Sequence, residues 1–200
     1  MNRFSSIIVL ILIIGLASHQ SLAQKQALKL EGPVLLTSCG QSPGPLKIKV
    51  FLAKLNIEHV YNLQASAGDL VAKRKEGKPF KSLIIVTGAS LKGMGASRVS
   101  IDDELDRAKK LIAEAKKQAI KVVGSHVEGM ERRAQGAAPG DNSDELSIDT
   151  VCPQSDLLII RKDGDEDKRF TAISTGKKIP MVTFEKNMEL SGVLKSLYQK

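Results

Sequence analysis

Short apolar runs alternate with amphipathic stretches along this chain, and the alternation predicts strands that alternate with helices. Several runs are apolar along their whole length, which is typical of strands buried on both faces of a parallel sheet. The spacing predicts strands over 33–38, 58–63, 82–87, 121–125, 157–160 and 181–184.

The segments between these runs carry helix signals. The clearest helix is predicted to begin after Ser100, which forms a capping-box pattern with Asp103, and apolar residues then recur at steps of three and four to Ala119. Further helices are predicted over 43–56 with Ser42 as N-cap, over 69–77 with Asp69 as N-cap, over 143–151, over 167–175 with Gly176 as C-cap, and after Asn187. The stretch 87–95 is rich in glycine and is predicted to be a loop.

This order of elements predicts an α/β fold. We expect a doubly wound, mostly parallel sheet of about six strands with helices on both faces, as in Rossmann-like or flavodoxin-like three-layer sandwiches. Two strand orders stay open, 2-1-3-4-5 and 3-2-1-4-5-6. In either order, right-handed crossovers place the loops that follow the strands at one edge of the sheet.

The amino terminus has the pattern of a secretory signal. Arg3 precedes an apolar run over 7–17, and Ser21-Leu22-Ala23 offers the small residues of a cleavage site. We therefore expect residues 1–23 to be a signal peptide, residues 24–200 to form a single α/β domain, and the product to reach the periplasm or the exterior. The alternative is an uncleaved segment that anchors the chain in a membrane; after cleavage no stretch is long enough to span one.

Charge narrows the classes of partner. The chain has a formal net charge of +8, but its lysines lie mostly beside acidic residues and it contains no tryptophan. This composition argues against nucleic-acid binding and indicates a soluble, basic surface. A small anionic ligand and an envelope protein are the two kinds of partner that we expect.

The loop after the first strand flanks the binding crevice in both strand orders. It contains Ser38, Cys39, Gly40, Gln41 and Ser42. No acidic residue occurs between Gly32 and Ile57, and Lys47 lies just inside the following helix. We expect the free amides of this helix's first turn to attract an anion.

The loop after the third strand contributes Thr87, Gly88, Ala89 and Ser90. Its glycines predict a tight turn or a close backbone approach to a ligand. The stretch departs from three known motifs. Four residues instead of three separate Thr-Gly from Gly-x-Gly of a short-chain dehydrogenase, Met94-Gly95 replaces the Lys-Ser/Thr of a Walker A loop, and Lys92 replaces the last glycine of a nucleophile elbow.

A catalytic role is the alternative to simple binding. Cys39 at a helix amino terminus is expected to have a lowered pKa, and Cys39 or Ser90 with His126 would supply a nucleophile and a base for a hydrolase or transferase. Arg132, beside Arg133, is a candidate clamp for an anion. No cofactor and no metal are predicted, since the ligand spacing of metal sites is absent, and Cys39 and Cys152 are expected to be free thiols.

Several blocks of sequence resemble a known family. Residues 35–44 (LLTSCGQSPG), 84–93 (IIVTGASLKG), 144–148 (DELSI) and 153–159 (PQSDLLI) are similar to exported bacterial proteins that carry only a domain-of-unknown-function label. The resemblance implies a Rossmann-like sandwich and assigns no catalytic residue. We therefore expect a binding protein for a small anionic or polar ligand, with the enzyme above and an envelope adaptor without a small-molecule site as alternatives.

Overall fold

The structure is a computed structural model that describes residues 28–133 and 142–199. The predicted signal peptide, residues 1–23, lies outside these ranges. The strands are β1 Val34–Cys39, β2 His59–Tyr61, β3 Ser82–Thr87, β4 Lys121–His126, β5 Leu157–Arg161 and β6 Met181–Phe184. The α-helices are α1 Gly44–Lys54, α2 Ala67–Lys75, α3 Leu91–Ser97, α4 Ile101–Lys117, α5 Ser143–Val151, α6 Arg169–Lys177 and α7 Glu189–Tyr198.

The six strands form one parallel sheet, which confirms the predicted fold class. Their order is β2-β1-β3-β4-β5-β6. This is the first of the two predicted orders, extended by a sixth strand. The direction of winding reverses between β1 and β3, where doubly wound proteins open a crevice for ligands.

Helices cover both faces of the sheet. On one face, α1 and α7 pack through Ile48, Leu52, Leu190 and Leu194 against alternate residues of the strands such as Leu36. On the other face, α2, α4, α5 and α6 cover the remaining strand residues. The core is therefore two apolar layers separated by the sheet. Within the described ranges, no helix combines the length and the apolar character needed to cross a membrane.

Several predicted element boundaries are wrong. The stretch 87–95 is only partly a loop, because α3 begins at Leu91 and the Ser90 hydroxyl accepts a hydrogen bond from the Gly93 N–H at 3.1 Å. Gly176 lies inside α6, which ends at Lys177, and Lys178 takes the left-handed conformation in its place. Three helices also begin after a residue other than the predicted N-cap. Pro43 precedes α1 instead of Ser42, Ser66 caps α2 with Asp69 in its capping box, and Met188 precedes α7 instead of Asn187.

A buried ion pair joins α4 to the end of β1. Glu104 is 1% exposed and accepts hydrogen bonds from Arg107 at 2.8 Å and from the Gly40 N–H at 2.9 Å. Arg107 also donates to the carbonyl oxygens of Ser38 and Ala65, each at 2.7 Å. The pair therefore holds the carboxyl end of β1, the segment before α2 and the first turns of α4 together.

Replacing Arg107 tests this arrangement. We expect Arg107→Met to lower the free energy of unfolding by about 3 kcal/mol, because Glu104 then stays buried without its counter-charge. Urea denaturation measures the change. Lys110→Met is the matched control: its partner Asp106 is on the same helix, both side chains are more than 60% exposed, and the loss should be roughly 0.5 kcal/mol or less. Similar losses in the two variants would contradict the role of the buried pair.

Candidate functional site

The loops after β1 and β3 lie against each other at the switch point. The Ser90 N–H donates to the Gly40 carbonyl at 2.8 Å, and Gln41 and Ala89 form an isolated bridge. Gly40 has φ +104°, and a Cβ on it would lie 2.6 Å from the Gly88 oxygen. The two loops are thus neighbours, as the topology predicts, and they contact each other directly.

The backbone amides of these loops already have protein acceptors. The Gly44 N–H donates to a Glu128 oxygen at 3.1 Å. Three further amides are paired in the same way: Gly40 with Glu104, Gly88 with Ser147 at 3.0 Å, and Ala89 with Asp144 at 2.5 Å. The prediction that the amides at the start of α1 are free is therefore wrong. The acids that pair with the loop amides come from distant parts of the chain: Glu128 follows β4, Glu104 lies on α4 and Asp144 lies on α5.

Cys39 has no exposed surface. It is 0% exposed, its thiol contacts the Glu104 carbonyl at 3.9 Å, and burial raises its pKa to about 12. The expected lowering of this pKa is wrong, because the side chain faces the core and not the amino terminus of α1. Cys152 is also buried, and neither thiol is in a disulfide.

His126 is likewise enclosed at the end of β4. Its Nε2 lies 2.9 Å from the Gly129 carbonyl and its Nδ1 lies 3.3 Å from the Thr87 hydroxyl. Burial is the main cause that lowers its pKa, and the ring stacks on Phe170 with 5.2 Å between centroids. Cys39 and His126 thus form their contacts with other groups, whereas a nucleophile and its base would contact each other.

The two consecutive arginines have different environments. Arg133 is 3% exposed and binds Glu145 and Asp167 from α5 and the turn before α6, so its charge is neutralised inside the protein. Arg132 remains 31% exposed at its side chain. It contacts Glu128 at 3.4 Å and the Ala89 carbonyl at 3.2 Å. Only Arg132 of the pair faces the rim.

A groove of about 530 Å³ lies at the carboxyl edge, and residues from both sides of the switch point line it. We call it the rim groove. It is lined by Gln41, Ser42, Pro43, Leu46, Tyr61, Leu63, Ser90, Lys92, Gly93, Ala96 and Arg132. The loop after β1, the end of β2 and the first turns of α3 form its walls.

Four of the predicted binding residues line this groove, namely Gln41, Ser42, Ser90 and Arg132, although Ser42 is fully buried beneath its surface. Ser38, Cys39, Thr87 and His126 are fully buried, and Gly40, Gly88 and Ala89 use their amides internally. The apolar side of the lining, near β2 and the start of α1, was not predicted. One sequence feature could have indicated it: Leu46 is apolar but lies off the stripe that Ile48 and Leu52 form in α1.

In the described part of the chain, no three His, Cys, Asp or Glu side chains are grouped closely enough to hold a metal ion. Carboxylates instead bind backbone amides and arginines. The rim groove therefore offers mainly the cationic side chains of Lys92 and Arg132 next to an apolar wall. The polar groups of Gln41, Ser42 and Ser90 already form hydrogen bonds within the chain.

Thiol labelling tests the burial of both cysteines. We expect native protein to react with a disulfide reagent at pH 8 roughly a thousandfold more slowly than urea-unfolded protein, because labelling requires opening of the core. The measurement is the release of the reagent's chromophore. Rapid labelling of Cys39 in native protein, with Cys39→Ser as the assignment control, would contradict the burial described.

Glu128 provides a second test. We expect Glu128→Ala to lose about 2 kcal/mol of stability, because the Gly44 amide and Arg132 lose a charged partner. Sulfate at roughly five times its Kd should restore about 1 kcal/mol by occupying the vacated position. Glu131→Ala, an exposed change in the same turn, supplies the baseline for nonspecific salt effects. An equal sulfate response in both variants would rule out an anion position there.

Comparison with known proteins identifies a family. Residues 31–198 match the model of a family described as a domain of unknown function (DUF6305), so the chain belongs to that family. This confirms the resemblance to an uncharacterised family. Neither the curated proteins nor the solved structures contain a match.

Proposed function

We propose that this member of the DUF6305 family is an exported protein that binds a small anionic or polar ligand in the rim groove. Export is inferred from the signal pattern in residues 1–23. The binding role is inferred from the position of the groove, since doubly wound proteins bind ligands at the carboxyl ends of strands beside the switch point.

The main support for the proposal is the positive charge of the side chains that line the groove. Among the described residues that line the groove, Lys92 and Arg132 are cationic and none is an aspartate or glutamate. Lys92 is exposed in the first turn of α3. A ligand's negative charge would meet a side-chain cation there without an opposing carboxylate on the groove wall.

Neighbouring polar groups are held in place before a ligand arrives. Gln41 is 5% exposed; its Nε2 donates to the Leu63 carbonyl at 3.2 Å, and its Oε1 accepts from Ser97 at 3.3 Å. Arg132 is fixed by Glu128 and by the Ala89 carbonyl. Such fixed groups lose little conformational entropy on binding, which favours recognition of a defined ligand.

The catalytic alternative lacks comparable support. Cys39 and His126 are buried with other hydrogen-bond partners, and the Ser90 hydroxyl caps α3. We therefore propose binding without covalent chemistry.

A thermal-shift screen with acetate, citrate, inorganic phosphate, AMP and aromatic carboxylates at low ionic strength tests the proposal. We expect at least one anion to stabilise the wild-type protein, and Lys92→Glu to weaken its binding by about tenfold or more through loss of attraction and added repulsion. Lys47 is a poorer choice for mutation, because its ammonium donates to the Val127 carbonyl at 3.3 Å.

Lys78→Glu is the matched control. Lys78 is exposed, and it lies before β3 at the opposite edge of the sheet, so the variant has the same net charge as Lys92→Glu. Equal weakening in the two variants would show a general charge effect. Stabilisation by no anion in the screen would refute an anion-binding groove.

A further inference from the structure

We infer that the rim groove selects an amphipathic organic anion, in which a compact apolar group such as a phenyl ring or a branched alkyl chain carries a single carboxylate. The inference rests on the proposed binding function and narrows it to a class of ligand. Three features of the groove support it. The large apolar residues and the cations lie on different sides of the lining, the apolar wall is exposed, and the N–H groups of the loops already donate to acceptors within the protein.

The lining is divided across the sheet. Tyr61 and Leu63 lie at the end of β2 and just beyond it, and Leu46 lies in the first turn of α1. Lys92 and Arg132 follow β3 and β4. Because the strand order is β2-β1-β3-β4, the large apolar residues lie on the β2 and β1 side of the groove, and the cations lie on the β3 and β4 side together with Ala96. A ligand that spans the groove would need one apolar and one anionic end.

The apolar end of the groove is partly exposed to solvent. Leu46 is 50% exposed and Tyr61 is only partly buried. One cation, Lys49, already stands 4.8 Å from the centre of the Tyr61 ring. A single exposed leucine is ordinary on a protein surface. Here, however, it lies beside Pro43, Tyr61 and Leu63 in the shallow groove, where a compact apolar group would cover apolar surface that is otherwise in contact with water.

The amide pairing described above argues against phosphate-rich ligands. Proteins that bind nucleotides at this position present free backbone N–H groups of the strand-to-helix loops to the phosphates. In this protein the N–H groups of Gly40, Gly44, Gly88 and Ala89 donate to Glu104, Glu128, Ser147 and Asp144. Lys92 and Arg132 are the remaining charged donors on the groove wall.

Arg132 also forms an ion pair with Glu128, in which Nε lies 3.4 Å from Oε1. The net positive charge at the cationic end is therefore closer to one than to two. This matches one carboxylate better than a dianionic phosphate or a polyphosphate. The groove volume of about 530 Å³ lies within the usual range of small-molecule sites, and a ligand of roughly eight to fifteen non-hydrogen atoms fits such a volume.

Isothermal titration with matched probes tests the inference. The probes are 3-phenylpropanoate and 4-methylpentanoate, their uncharged amides, and acetate and inorganic phosphate, all at the same low ionic strength. We expect each amphipathic acid to bind at least about tenfold more tightly than its amide, because the amide lacks the charge-assisted contact with Lys92. We expect a similar advantage over acetate, which lacks the apolar group.

Two pairs of variants locate the contacts. Leu46→Ser should weaken the amphipathic acids several-fold and leave acetate unchanged, whereas Val50→Ser, one turn further along α1 and 44% exposed, should change neither. Lys92→Gln should abolish the advantage of each acid over its amide, whereas Lys78→Gln should preserve it. Denaturation curves of all four variants separate loss of binding from loss of folding.

The outcomes distinguish this inference from the proposed function. If acetate or phosphate binds as tightly as the amphipathic acids and Lys92→Gln weakens it, the groove is an anion site but the inferred ligand class is wrong. If acids and amides bind equally well, the requirement for an anion is wrong. If none of the probes binds to the wild-type protein, both the inference and the anion-binding function are overturned.

Discussion

The carboxyl edge of this sheet is governed by the need of buried backbone amides for acceptors. Parallel strands deliver several N–H groups to one rim, and many doubly wound proteins leave some of them for a ligand's phosphates. Here Glu104, Glu128 and Asp144 accept those hydrogen bonds from within the chain. The same carboxylates recruit Arg107 and Arg132, so the rim is held together by charge-assisted contacts and any ligand must bind beside them.

Much of the fold follows from local pattern. The apolar runs predict the strands within one or two residues in most cases, and the spacing of Ser100, Asp103 and the stripe beyond them predicts α4. The sequence pattern does not distinguish the two strand orders, because both place the same loops on one edge of the sheet. Helix α3 was not predicted, since two glycines in LKGMGAS have low helix propensity. The Ser90 cap supports the first turn, and Gly93 is required there because a Cβ on it would clash with the Gln41 backbone oxygen.

The site was harder to predict because its partners are distant in sequence. Glu128 lies 84 positions from Gly44, and no local signal links the two residues. Glu104 did carry a signal. It lies on the apolar stripe of α4 between Ile101 and Ala108, where a carboxylate indicates a buried partner. Asp102 and Asp103 precede it in the first turn of α4, where acidic residues are common, and this run of acids masks the signal. The absence of acidic residues between Gly32 and Ile57 describes that segment alone. The electrostatic field at the rim depends on the charges of every loop that reaches it.

Strand β2 is only three residues long and forms the outer border of the sheet. It forms three residue pairs with β1, whereas β1 and β3 share six. Just beyond β2, the Leu63 carbonyl accepts hydrogen bonds from Thr37, Ser38 and Gln41, which lie on β1 or in the loop after it. The border strand is therefore positioned by side chains of its neighbour as well as by its own short ladder, and the placement of the outer groove wall depends on β1.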